Sequence, residues 1–425
     1  MDNNADNSGG GMHNTGSSNP IINECVFVHN TAGNAGGGLR NNSNTATITD
    51  CEFLDNYARW GGGGMYNYYA SPTVTRCLFQ DNVSDGYGGG GINNDQAPSR
   101  PVIVDCDFIE NDAVSGGGIY NRNNTTPIII GSRILRNDAS NTGGGMYVNN
   151  SDPNLIDCIF LGNDSNDDAG GIYNYNNSTL KLRNCLFSGN SSNDKAGALY
   201  NRSGSHSELL NCTFNENSAP YGGGIYNWGT ASADIANSIF WGNTASTAGP
   251  QIAVHNSSNV AIEYSCLQGG IPEVDIDGSS SATDNGNNRF DDPKFIDADG
   301  PDNQAGTEDD NLHLRPNSPC IDNGTNKVLP LNITDLDGRS RYLDGNCDGE
   351  VTVDMGVYEF TFAAFGSFDG DCDVDLCDFV IFSAAWLTQP EDSHWNPICD
   401  LALPTDKAVN LKDLALFCTY WLLGK

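Results

Sequence analysis

The chain has 425 residues, enough for two or three domains, and carries 54 acids against 20 bases for a formal charge of −34. That balance argues against a nucleic-acid partner, whose phosphates need Lys and Arg, and suits hard cations such as Ca²⁺. No run approaches the ~20 apolar residues of a membrane helix, and no signal peptide opens the sequence.

The first stretch, Met1-Asp2-Asn3-Asn4, stands in register with a Phe-x-x-Asn element that recurs downstream. The first repeat is therefore expected to be cut into at residue 1, with an N-terminal cap and an export signal upstream. A Gly-rich box with one apolar residue then recurs at Met12, Leu39, Met65, Ile92, Ile119, Met146, Ile172, Leu199, Ile225 and Ile252, in steps of 26 or 27 residues. A fixed period in this range marks stacked repeats.

Before the boxes come Phe27-x-x-Asn30, Phe53-x-x-Asn56, Phe79-x-x-Asn82, Phe108-x-x-Asn111, Ile134-x-x-Asn137, Phe160-x-x-Asn163, Phe187-x-x-Asn190, Phe214-x-x-Asn217 and Phe240-x-x-Asn243. Two residues ahead of each stands Cys25, Cys51, Cys77, Cys106, Ser132, Cys158, Cys185, Cys212 or Ser238. A spacing of two puts the Cys and Phe columns on one face of a strand. Short β-type runs between Gly, Asn and Ser turns are incompatible with a helical solenoid. The expected fold is a coil of two or three short parallel strands per turn of ~27 residues. Cys, Phe and the Met/Leu/Ile column point inward, and the asparagines form ladders at the turns. Ser fills two of the Cys slots, so the column reads as small buried packing residues rather than disulfides.

These boxes, alternating with Phe-x-x-Asn, resemble the polymorphic outer-membrane protein repeat. More broadly, residues 1–268 look like secreted right-handed parallel β-helix proteins of the pectate-lyase-like superfamily. The resemblance implies an all-β solenoid. It leaves activity open, since such coils include lyases, glycosidases, adhesins and passengers.

Two outward patterns are candidates for function. Tyr66, Tyr120, Tyr147, Tyr173, Tyr200 and Tyr226 follow the inward apolar column, with Tyr68, Tyr175 and Trp228 two further on. They predict an aromatic stripe that either stacks sugar rings or simply packs the sheet. Beside the Cys column lie Asp50, Glu52, Arg76, Asp105, Asp107 and Arg133, with Asp55, Asp81, Glu110 and Arg136 nearby. Carboxylates holding Ca²⁺ next to an Arg base would suit a polysaccharide lyase, and paired carboxylates a glycoside hydrolase. The other reading is a ladder of ion pairs between rungs.

Residues 269–360 contain Phe290-Asp291-Asp292-Pro293, Ser318-Pro319-Cys320-Ile321-Asp322, Asp335-Leu336-Asp337-Gly338-Arg339 and Val353-Asp354-Met355-Gly356-Val357-Tyr358-Glu359. This is similar to the choice-of-anchor module of surface β-helix proteins, and is expected to cover the last open rung. Its loop of Asp297, Asp299, Asp302, Asp309 and Asp310 reads as a Ca²⁺ loop or as a solvated acidic one.

In residues 361–425, Asp378, Phe382, Trp386 and Leu387 recur as Asp413, Phe417, Trp421 and Leu422. Each copy predicts an acidic loop leading into a short helix. Asp369, Asp371, Asp373, Asp375 and Asp378 fit an EF-hand-type loop, with Asp406, Asn410 and Asp413 in the second copy. Ser367 and Cys372 depart from that pattern. The duplication resembles a dockerin, which implies Ca²⁺ and a cohesin-like partner. Three functional readings follow: an extracellular or cell-surface protein binding glycans or other cells, a carbohydrate-active enzyme, or a structural spacer. Few bases, scattered His and short turns favour the first.

Overall fold

The computed structural model describes residues 3–16, 18–328, 333–346, 348–361, 367–368, 374, 376–396, 399–401 and 407–423. Each rung of the coil winds through four short strands, rather than two or three. One rung comprises Asp164–Ser165, Ile172–Tyr175, Thr179–Arg183 and Leu186–Ser188. Equivalent strands stack in parallel into four sheets of ten, eleven, eleven and ten strands. The first strand of most rungs is only two residues long, as in Thr31–Ala32 and Tyr57–Ala58. Two residues cannot display an alternation, which is why the repeat reads as having fewer strands.

The inward columns explain the period. Phe27, Phe53, Phe79 and Phe108 stack with ring centroids 4.6–4.9 Å apart, and Phe160, Phe187, Phe214 and Phe240 do so at 4.6–4.8 Å. That spacing is the distance between neighbouring strands, so one ring per rung fills the core without voids. The cysteines are free thiols, all buried from Cys51 to Cys212. The sulfurs of Cys51, Cys77 and Cys106 each accept a backbone N–H from the preceding rung at 3.4 Å. Ser132 Oγ takes over that acceptor role for Cys106 N at 3.1 Å, which explains the interchange.

Asparagines satisfy the buried corners. From Asn30 to Asn243 each side-chain amide donates to the next Oδ1 at 2.8–3.0 Å. A second ladder links Asn14, Asn41, Asn67, Asn94 and Asn121, and resumes at Asn174, Asn201 and Asn227. In the Gly box, a Cβ on Gly223 would stand 2.4 Å from the Thr244 carbonyl oxygen, so the backbones of adjacent rungs meet there only through glycine.

The coil continues past residue 268. Strands Asp275–Ile276 and Ser281–Gly286 pair in parallel with Ile252–His255 and Asn259–Glu263. The following segment first covers the end of the fourth sheet, where Arg289 pairs with Cys266 and where Cys320, Ile321, Met355 and Phe360 pack on Ile239 and Cys266, and then runs back along the flank of that sheet. Leu312 and Val357 pack on Leu135, Leu161 and Leu186. Val357 N donates to Thr213 Oγ1 at 3.1 Å, and Gly356 N to the Asn237 carbonyl at 2.8 Å. Asn237 Nδ2 donates to the Thr325 carbonyl at 3.1 Å, and Asn184 Nδ2 to that of Thr334 at 2.7 Å.

The footprint is written into the outward columns of the coil. Where earlier rungs carry Asp55, Asp81, Glu110 and Arg136, later ones carry Gly162 and Gly189, and a Cβ on Gly189 would lie 2.4 Å from the Ala305 carbonyl oxygen. The asparagines at 184, 211 and 237 replace charged corner residues in the same way. Beneath the flank module Arg341 is fully buried, 3.5 Å from Glu359 and 3.2 Å from Asn184 Oδ1. At the C-terminus the helices Leu376–Ala384 and Leu411–Leu423 carry the duplicated phenylalanines, and Phe382 and Phe417 stack 5.1 Å apart.

Candidate functional site

The charged candidates beside the Cys column form a ladder of ion pairs. Arg76 holds Asp50 through two hydrogen bonds of 2.8 Å, one rung away. Arg133 grips Asp107 the same way at 2.7 and 2.9 Å and reaches Glu308 of the flank module at 2.6 Å. Arg136 pairs with Glu110 at 3.0 Å. Glu52 and Asp105 stand exposed along the same side. The paired carboxylates hold the Arg76 and Arg133 guanidiniums above their ordinary range, opposite to what a proton-abstracting base needs.

The tyrosine column faces away from the core, as its position requires, but it is not open. Tyr120, Tyr173, Tyr200 and Tyr226 are 5%, 4%, 1% and 2% exposed. Tyr173, Tyr200 and Tyr226 are packed against one another and against Ala169, Ala196 and Tyr221, from the corner joining the first and second sheets, and Tyr120 stacks on Tyr147. Tyr120, Tyr147 and Tyr173 are stacked face to face at 4.8 and 5.2 Å, so their faces are already occupied. Hydroxyls are engaged as well: Tyr173 accepts from Arg202 at 2.9 Å, and Tyr226 bonds His255 at 3.1 Å. Burial pushes the Tyr173 phenol up to about 12. Tyr68, Tyr147, Tyr175, Tyr221 and Trp228 are half-exposed along this ridge.

In the C-terminal module Asp378 and Asp413 are fully buried near the starts of their helices. Asp378 accepts the Phe368 N–H, and Asp413 accepts that of Asn410 at 2.7 Å. Oxygen donors of this kind are what Ca²⁺ takes. Asp369, Asp371, Asp373, Asp375 and Asp406 lie outside the described residues.

The structure adds a candidate that the repeat pattern does not announce. Where the flank module meets the coil, an open cleft of about 490 Å³ is lined by Asn215, Glu216 and Trp241 of the coil and by Asp292, Lys294, Phe295 and Arg315 of the module. Trp241 is half-buried, with Asn215 beneath it fully buried. Lys294 Nζ donates to the Asn317 carbonyl at 2.7 Å and Arg315 to that of Ile296. Among the described residues neither has a carboxylate within 4.0 Å, although acids outnumber bases almost threefold. Burial, with Asp299 nearby, raises the Glu216 carboxyl above its ordinary range. The sequence signal for this cleft is a lone Trp in a column otherwise filled by aliphatic residues, Gln, Ser and Asn. It acquires meaning only beside residues that lie 53 and 74 positions later, Lys294 and Arg315.

Residues 41–214 match the family described as right handed beta helix region, and residues 211–227 match the Chlamydia polymorphic membrane protein repeat. The coil is a right-handed parallel β-helix. No curated protein and no solved structure matches the chain. Both matched segments fall on the coil.

Proposed function

We propose that this β-helix protein is exported, displayed at a cell surface or in the extracellular matrix, and binds an acidic glycan. The coil serves as a rigid scaffold and the C-terminal module as its attachment. The likeness to the polymorphic membrane protein repeat supports a surface location. The observation that carries the binding is the seam cleft, where the Trp241 face lies beside Lys294 and Arg315. The apolar face of a sugar ring stacks on an indole, and a uronate carboxylate pairs with guanidinium and ammonium. Hydroxyls of the same ring would donate to Glu216. The ion-paired state of Arg76 and Arg133 favours binding over lyase chemistry on the other flank. At the tail, Ca²⁺ held by Asp378 in the first loop and by Asn410 and Asp413 in the second would order the module for a cohesin-like partner.

The test is a glycan array followed by titration calorimetry with oligogalacturonate, oligoalginate and neutral oligosaccharides. Acidic oligomers should bind, and W241A or the pair K294A/R315A should weaken them about tenfold or more, equivalent to about 1.4 kcal/mol. Retention unaffected by W241A but abolished by W228A would move the site to the tyrosine ridge. Wild-type protein retaining no acidic glycan would end the proposal, and ultraviolet absorbance from an unsaturated product would replace it with a lyase.

A further inference from the structure

A second constellation lies on the corner between the first and second sheets. Asp167 and Asp168 occupy this corner in one rung, and Asp194 occupies it in the next. One carboxylate oxygen from each lies within 4.8 Å of the others. Oxygens bound to a common Ca²⁺ at about 2.3–2.6 Å stand up to about 5 Å apart, so the three are close enough to share such an ion.

Asp168 supplies the independent observation. Its side chain is only 6% exposed, and its Oδ1 takes part in no hydrogen bond. The nearest positive groups are the Lys195 ammonium, 3.7 Å from Oδ1, and Arg202, 3.8 Å from Oδ2. Arg202 is committed to the Tyr173 hydroxyl, and Lys195 to Asp194. The corner is thus short of positive charge at its buried end. Asp167 is exposed and gives access, while Lys195 sits on a flexible four-carbon stem that can swing into solvent.

We propose that Asp167, Asp168 and Asp194 bind a Ca²⁺-class divalent cation, with Lys195 acting as the resident competitor that the ion displaces. Binding would brace two successive rungs across the corner that covers the tyrosine ladder. The inference does not rest on glycan binding, which is assigned to the opposite seam.

The test is Ca²⁺ titration of the full chain by calorimetry, together with Tb³⁺ luminescence sensitised by the neighbouring Tyr173 and Tyr200. D378N/D413N serves as the background for any cation held in the C-terminal module. On that background D168N and D194N should each abolish the remaining tyrosine-sensitised emission, with the β-sheet circular dichroism unchanged. K195M should raise affinity, because the competing ammonium is gone. Emission that survives both D168N and D194N, or a K195M variant that binds no better than the parent, would overturn the proposal.

Discussion

The asparagine ladder sets a quantitative test of how this coil is held together. Asn163 is completely buried and sits in the middle of the ladder. Its Oδ1 accepts the Asn137 backbone N–H and side-chain amide, both at 3.0 Å. Its Nδ2 donates to the Ile134 carbonyl and to Asn190 Oδ1, both at 2.8 Å. In Asn163→Ala the Asn137 side chain keeps the Phe108 and Leu135 carbonyls, at 2.9 and 3.2 Å. Asn190 Oδ1 keeps the Asn163 backbone N–H. The Asn137 backbone N–H and the Ile134 carbonyl lose the side chain that served them, inside the core. At about 1–3 kcal/mol for each of the two groups, the expected loss is about 2–6 kcal/mol. Urea unfolding followed by circular dichroism measures it, and amide exchange should localise it to the rungs on either side, since a solenoid couples nearest neighbours. A loss under about 1 kcal/mol would show that water or relaxation replaces the ladder, and the reasoning would fail.

The flank module gives a steric prediction: Gly189→Asp drives a side chain into the Ala305 carbonyl, so residues 290–360 should become protease-sensitive while the coil keeps its circular dichroism. Its pH dependence has a definite sign. Burial pushes the Asp354 carboxyl up to about 7 and, with Asp354 adjacent, that of Glu359 up to about 10, against about 4 in an unfolded chain. The folded state keeps protons that the unfolded state releases. This contribution is therefore whole below about pH 4 and drains as pH rises through 7. Melting temperature should fall from pH 5 to pH 8, and Asp354→Asn should flatten that fall; a rise over the same range would contradict it. Finally, Phe160→Ala should cost about 3–5 kcal/mol as a core cavity. Arg133→Ala, which removes a half-exposed pair, should cost about 1 kcal/mol or less and lose even that in high salt.

The sequence by itself determined the coil. A period of 26 or 27 residues with Phe, Cys and Asn in fixed columns leaves no other way to bury those columns, because each rung must repeat the last. It also indicated the pairing of the outward charges, since Asp50 and Arg76 are one rung apart by simple counting. What it left undecided depends on contacts between segments far apart in the chain. The tyrosines alternate outward just as an open stripe would, and only the tertiary structure shows Ala169, Ala196 and Tyr221 folded over them. The path of residues 290–360 along the flank rests on Gly162, Gly189 and three corner asparagines. Within the repeat these look like neutral drift from the charged pattern. Trp241 meets Lys294 and Arg315, and Asp168 meets Asp194, only when rungs and module are assembled in three dimensions. Periodicity reports what every rung shares, whereas a site is built where one rung differs from the next.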